Sequence, residues 1–221
     1  ATYLGQKGYS IYKKNMSVKE RHSLRDDLIA RPYVPKAPVQ PEGFAIYRES
    51  NQKIYIPRFF GINAYGEPDE VRIPKGDPID VAFNGGLRDY QTNIVNIYKK
   101  SLGVNGGGGL LEIPCGRGKT VIALNIISQL KVKTLVIVHK GFLLNQWVER
   151  IEQFLPGARV GKIQGQVIDI EDKDIVVGML QSLSMKEYPS DMFASFGLTI
   201  VDECHHISSE VFSRSLQRIV T

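Results

Sequence analysis

Three almost wholly apolar runs limit this fold more than any other feature of the chain: Thr134–Val138, Ile175–Gly178 and Leu198–Val201. None shows the polar alternation of a strand with one wet face. A strand that is apolar on both sides must be covered on both sides. Crossover helices in a parallel sheet provide that cover, and hairpins do not. A fourth run, Gly109–Ile113, predicts one more strand. Helical periodicity fills the intervals: Arg88–Ser101, Lys119–Leu130, Phe142–Phe154 before the stop Pro156-Gly157, and Ser209–Ile219. In Lys119–Leu130 the inward face is expected to be Val121, Ile122, Leu124, Ile126 and Ile127. The fold class read from this pattern is α/β with a parallel sheet, and sites in such sheets lie at the carboxyl ends of the strands.

Two polar clusters fall at those ends. The first is Pro114-Cys115-Gly116-Arg117-Gly118-Lys119-Thr120, between an expected strand and an expected helix. A triphosphate needs several N–H donors close together with no side chains in the way. Gly116 and Gly118 let the backbone approach, and the helix that follows turns its positive dipole end to the same spot. Lys119 is spaced to reach β- and γ-phosphates, and the Thr120 hydroxyl to ligate Mg²⁺. The general phosphate-loop pattern opens with Gly where this chain has Ile113, so the strand–loop–helix context carries the assignment.

The second cluster is Asp202-Glu203-Cys204-His205, directly after Leu198–Val201. An acid at a strand end beside such a loop can hold Mg²⁺, and the next acid can orient or deprotonate an attacking water. These readings make Lys119, Asp202 and Glu203 the expected catalytic residues, and Thr120 with Asp202 the expected Mg²⁺ ligands. His205 and His206 are adjacent and do not share a face, which argues against zinc. His205 reads instead as a relay between the nucleotide and the rest of the molecule.

Residues 1–85 have a different texture. Tyr9–Lys13 predicts a strand, and Ser17-Val18-Lys19-Glu20 a capping box that opens a helix reaching about Ala30. Pro32, Pro35, Pro38 and Pro41 then exclude helix. Phe44–Arg48 and Ile54–Phe60 predict a hairpin, and Gly61–Asp80 a linker or irregular stretch. The expectation is a small α+β (β-α-β-β) N-terminal domain plus linker over 1–85, followed by the phosphate-loop domain over 86–221.

Charge is distributed unevenly. The chain has net charge +5 over 221 residues, but residues 1–60 hold 11 Lys and Arg against 5 Asp and Glu, while 61–85 hold 2 against 5. A basic first segment with Tyr3, Tyr9, Tyr12, Tyr33, Tyr47 and Tyr55 suits a surface that tracks phosphates and stacks bases. The alternative is a small aromatic core under a solvated basic surface. Both cysteines, Cys115 and Cys204, lie inside the two clusters, where a disulfide framework makes no sense. Reduced thiols imply an intracellular protein, cytoplasmic or nuclear. No apolar run approaches the roughly 20 residues of a membrane span.

These clusters resemble those of the superfamily 2 helicases. Pro-Cys-Gly-Arg-Gly-Lys-Thr is similar to their motif I, and Asp-Glu-Cys-His to a motif II of the DExH type. Leu87-Arg88-Asp89-Tyr90-Gln91 is similar to the adenine-recognising segment of many such motors. The likeness is to the XPB-like branch, including the helicases of large double-stranded DNA viruses. Tyr3–Tyr9 and Ile54–Phe60 carry a looser likeness to the N-terminal region of those viral proteins.

The resemblance implies a RecA-like domain, ATP and Mg²⁺ as ligands, ATP hydrolysis, and a nucleic-acid partner, with DNA favoured over RNA. A viral source would put the protein in the host cytoplasm or the virion. The resemblance also implies nucleotide contacts by Arg88, Gln91, Pro114, Cys115, Gly116, Arg117, Gly118, Lys119, Thr120 and His205, with Gln91 on the adenine edge. It puts Val138-His139-Lys140 and Gln181-Ser182 at positions that touch the nucleic-acid backbone, although Met179 stands where relatives often have Thr. The chain stops at Thr221, before a motif III and before the second RecA-like domain with its arginine finger. The expectation is therefore an N-terminal part that turns over ATP very slowly by itself, since such an arginine is worth about 10³–10⁵ in rate. Three other readings stay open: a DExH RNA helicase, an ATPase that remodels proteins, and a nucleic-acid-binding module with an inactive ATP site.

Overall fold

The structure is a computed structural model describing residues 1–103, 107–189, 191–205, 215–216 and 219. It has two compact units, one built on Ala1–Ile73, to which His205 also belongs, and the other on Pro74–Cys204.

In the first unit, β1 (Thr2–Gly5) and β2 (Gly8–Tyr12) pair antiparallel, and α1 (Val18–Asp27) follows. The capping box at the start of α1 is fully formed. The Ser17 hydroxyl accepts from the Glu20 N–H at 3.1 Å, and the Glu20 carboxylate accepts from the Ser17 N–H at 2.6 Å. Next come β3 (Ile29–Ala30), β4 (Phe44–Ala45), β5 (Arg48–Glu49), β6 (Lys53–Ile56), α2 (Arg58–Tyr65) and β7 (Glu70–Val71). The main sheet runs β5-β6-β2-β1-β7, with β7 parallel to β1, and β3 pairs with β4 apart from it.

The expected hairpin is thus split. Only Arg48–Glu49 pairs with β6, while Phe44–Ala45 returns to Ile29–Ala30. Strand β6 ends at Ile56 because Pro57 starts a helix, so the presumed linker contains most of α2 and all of β7. Leu4, Tyr9, Ile11, Ile54 and Ile56 point to one face of the sheet and, with Leu24 and Leu28, form this unit's core.

The second unit holds α3 (Asp89–Ser101), α4 (Lys119–Leu130), β8 (Thr134–Val138), α5 (Gly141–Phe154), β9 (Val160–Gln164), β10 (Val167–Ile168), β11 (Ile175–Met179), α6 (Leu180–Met185) and β12 (Leu198–Val201). The sheet order is β10-β9-β11-β8-β12, parallel except for β10. All five residues of β8 are buried, as an apolar run covered on both faces requires. Val136, Val138, Leu124, Leu144, Trp147, Ile151 and Val177 meet in the core. Ile79 and Val81 join them, so the start of this unit is packed chain rather than free linker.

Elements of this unit depart from the sequence reading, which expects neither β10 nor α6. Val160–Gln164 is a strand although Lys162 and Gln164 are polar, because burial alternates along it, with Gly161 and Ile163 inside and the two polar residues outside. Gly109–Ile113 is not a strand. An apolar run needs a ladder partner to become one, and among the described residues β12 pairs only with β8. Leu110 remains 76% exposed. The expected helix Ser209–Ile219 falls largely outside the described residues, as does His206.

Candidate active site

The loop before α4 is bent by two left-handed glycines, Gly116 at φ 76° and Gly118 at φ 77°. This is a region that glycine enters without the Cβ penalty. The Arg117 N–H closes a turn on the Pro114 carbonyl at 3.2 Å. Pro114, Cys115, Gly116 and Arg117 are all exposed. Helix α4 has no side-chain cap at its N-terminus. Its first-turn N–H groups therefore point to the loop with their partial positive charge available to an anion.

Helix α3 braces this loop. The Arg117 carbonyl accepts from the Tyr90 hydroxyl at 2.9 Å and from Gln91 Nε2 at 3.2 Å. Gln91 Oε1 accepts from the Arg88 N–H at 2.9 Å. Gln91 is only 6% exposed, and both ends of its amide are engaged within the protein. The segment expected to read adenine thus also anchors the loop. Arg88 is exposed beside it.

Across from the loop, β12 delivers Asp202 and Glu203. The Asp202 N–H donates to the Ile137 carbonyl at 3.0 Å, so Asp202 still follows the sheet. Glu203 then adopts φ 53°, an uncommon conformation for a side chain with a Cβ, and the chain leaves the strand direction there. The Lys119 ammonium pairs with the Glu203 carboxylate and lies 3.9 Å from Asp202 Oδ1. The other carboxylate oxygen, Asp202 Oδ2, accepts from the indole N–H of Trp147 at 2.9 Å. The side chain of Asp202 is 10% exposed and that of Glu203 31%.

Lys119, Asp202 and Glu203, distant in sequence, are therefore brought together, with Thr120 next along α4. A cation, free helix N–H groups, a hydroxyl and two carboxylates form a donor set suited to a polyphosphate with a hard divalent ion. His205 is exposed and falls with the first unit.

The two positions expected to touch nucleic acid are also neighbours. Val138 and Met179 are paired at the carboxyl ends of β8 and β11, and Gln181 Nε2 donates to the His139 carbonyl at 2.8 Å. Lys140 is exposed at the start of α5. Sequence reasoning missed Trp147 and the anchoring role of Tyr90. The indole lies on the buried face of an amphipathic helix, where sequence periodicity registers it only as core.

The family model described as "Type III restriction enzyme, res subunit" matches residues 84–221. A protein of Acanthamoeba polyphaga mimivirus, provisionally named an ATP-dependent RNA helicase, is 34% identical over 219 residues. That match covers 96% of this chain but 42% of the viral protein. Among solved structures, T4 UvsW matches 91% of this chain and 47% of its own, with TM-score 0.56 and 19% identity. The Sulfolobus solfataricus SWI2/SNF2 ATPase core in complex with dsDNA matches 66% of this chain and 32% of its own, with TM-score 0.53 and 21% identity. The two structures support the RecA-like α/β fold. With the matched family model covering more than half of its length, this chain belongs to the Type III restriction enzyme res-subunit family, within the superfamily 2 helicases.

Proposed function

We propose that the protein is an ATP-hydrolysing nucleic-acid helicase or translocase of the DExH type, in the XPB-like branch, with DNA as its track. The observation that carries this reading is the convergence of Asp202 and Glu203 on Lys119 at the uncapped start of α4.

In the proposed mechanism Gly116, Gly118 and the first turn of α4 offer N–H donors to the phosphates. Pro114, Cys115 and Arg117 shape the loop, and Arg88 and Gln91 lie on the adenine side. Lys119 exchanges the Glu203 carboxylate for the β- and γ-phosphate oxygens. With Lys119 on the phosphates, Glu203 accepts a proton from a water molecule. The water oxygen forms a bond to the γ-phosphorus, and the bond from that phosphorus to the β–γ bridging oxygen breaks. ADP and phosphate leave. Thr120 and Asp202 would hold Mg²⁺, which supplies charge neutralisation at the phosphates. Hydroxyl and carboxylate oxygens suit that hard ion. His205 would relay the state of the nucleotide.

The first unit supports a nucleic-acid surface, though with fewer tyrosines than expected. Tyr9 is fully buried in the core. Tyr3, Tyr12 and Tyr55 alternate with core residues and belong to the other face of the sheet, among cations. Lys53 lies 4.8 Å from the Tyr12 ring centroid, Lys7 5.0 Å from that of Tyr55, and Arg72 4.1 Å from that of Tyr3. Rings and cations arranged in this way suit a strand of bases and phosphates. Among the described residues no helix is long and apolar enough to cross a membrane. The free thiols of Cys115 and Cys204 suit work inside the cell.

A second reading, an RNA helicase, is favoured by the name of the mimivirus relative. The test is ATP turnover by the protein alone and with single-stranded DNA, duplex DNA or RNA, with Lys119→Ala as control. Stimulation by DNA supports the proposal, and stimulation by RNA alone replaces DNA with RNA. Turnover that survives Lys119→Ala overturns the assignment of the site.

A further inference from the structure

We infer that Trp147 is a positioning residue for the divalent cation: its indole N–H fixes the Asp202 carboxylate so that one oxygen, Oδ1, is presented to the phosphate loop. This inference rests on the proposed nucleotide site and adds a role for a residue on α5, outside both motifs.

The two oxygens of Asp202 have different partners. Oδ2 is taken by the Trp147 N–H at 2.9 Å, while Oδ1 faces the Lys119 ammonium at 3.9 Å. A carboxylate on a single bond would otherwise rotate and offer either oxygen. The indole that prevents this rotation is itself immobile. Trp147 is 3% exposed and packed in the main core with Leu144, Ile151, Val136 and Val138. A fully engaged aromatic body with one polar atom aimed at a charged partner is a rigid donor. The sheet reinforces the arrangement, since the Asp202 N–H continues the β8 ladder through Ile137. Backbone and side chain are thus both held before any ligand arrives, and preorganisation of this kind lowers the cost of binding a hard cation.

Trp147 is the chain's sole tryptophan. It therefore gives a single indole N–H resonance, located at the proposed cation site. The experiment follows that resonance in the ¹⁵N-labelled 221-residue chain as Mn²⁺ is added with ATP. In parallel it compares binding of a fluorescent ATP analogue with Mg²⁺ and with EDTA in the wild-type chain, Trp147→Phe, Asp202→Asn and Lys119→Ala.

Substoichiometric Mn²⁺ with ATP is expected to broaden the indole resonance, and Asp202→Asn to suppress the broadening. Trp147→Phe keeps an aromatic ring in the core and removes the donor. It should weaken binding in Mg²⁺ by at least about 10-fold, the usual cost of losing an outer-shell partner. Its effect in EDTA should be much smaller, which a packing defect alone would not produce. The inference is overturned if nucleotide binds, Lys119→Ala abolishes binding, and yet the indole resonance ignores Mn²⁺ or Trp147→Phe weakens Mg²⁺ and EDTA binding equally. Should Trp147→Phe not fold, the resonance of the wild-type chain decides alone. Failure of the wild-type chain to bind nucleotide at all overturns the proposed site and this inference with it.

Discussion

Replacing Gly118 with Ala should weaken nucleotide binding by roughly 100-fold, for two reasons that can be separated. Gly118 sits at φ 77°, and a Cβ built there collides with Gln91 Nε2. The left-handed conformation costs a residue with a Cβ about 1–2 kcal/mol. The collision expels the Gln91 amide from its bonds to the Arg117 carbonyl and the Arg88 N–H, each worth about 0.5–1.5 kcal/mol. A sum near 3 kcal/mol corresponds to roughly 100-fold in affinity. The free loop is exposed and can relax away from the strain, whereas a bound polyphosphate requires the loop in place, so the cost falls on binding. The assay is a double-mutant cycle on binding of a fluorescent ATP analogue, with Gln91→Ala as the second change. Once Gln91 is truncated there is no amide left to expel, and Gly118→Ala should then cost only the left-handed share, about 1–2 kcal/mol. Additive effects of the two substitutions, or wild-type affinity in Gly118→Ala, would refute the reasoning.

Glu203→Gln should retain Mg·ATP binding yet lower single-turnover hydrolysis by at least about 100-fold, because the proton acceptor is lost; a rate within a few-fold of wild type would remove Glu203 from that role. Asp174 offers a pH test of stability. Burial tends to raise its carboxyl, but hydrogen bonds from the Arg159 guanidinium and N–H, with Lys133 nearby, hold it below the ordinary range. A depressed folded-state value means a stabilisation present above the unfolded value, about 3.9, and lost as pH falls through the folded one. Asp174→Asn should therefore lower the Tm at neutral pH by a few degrees and make progressively less difference in acid; an equal loss at both ends contradicts this. Ser17→Ala, which removes one half of a formed capping box, should cost about 1 kcal/mol in denaturant unfolding, and Ser17→Gly less.

The sequence was most legible where one local force acted alone. Thr134–Val138 had to be a covered strand because no polar face was available, and Ser17 and Glu20 satisfy each other's backbone N–H groups within one turn. Lys119–Leu130 is a helix with the limits its periodicity implies, although Val121 is only half-buried. Reading failed where structure depends on a partner distant in the chain. Gly109–Ile113 is apolar enough for a strand but, among the described residues, joins no ladder. Thr2–Gly5 and Glu70–Val71 become strands through each other and β2, a pairing that no local pattern announces. The candidate site divides in the same way. The two motifs stand out by residue type and spacing, and the structure brings Lys119 to Asp202 and Glu203. The Trp147–Asp202 bond, and the occupation of the Gln91 amide by the loop, exist only because separate elements converge.

The nucleotide site is tested most directly by calorimetric titration of the 221-residue chain with ATP and Mg²⁺, beside Lys119→Ala and Asp202→Asn. Binding by the wild-type chain, loss of binding in Lys119→Ala, and loss of the Mg²⁺ dependence in Asp202→Asn are expected. Equal affinity in all three chains would contradict the assignment, because Lys119, Asp202 and Glu203 would then converge without forming the nucleotide site.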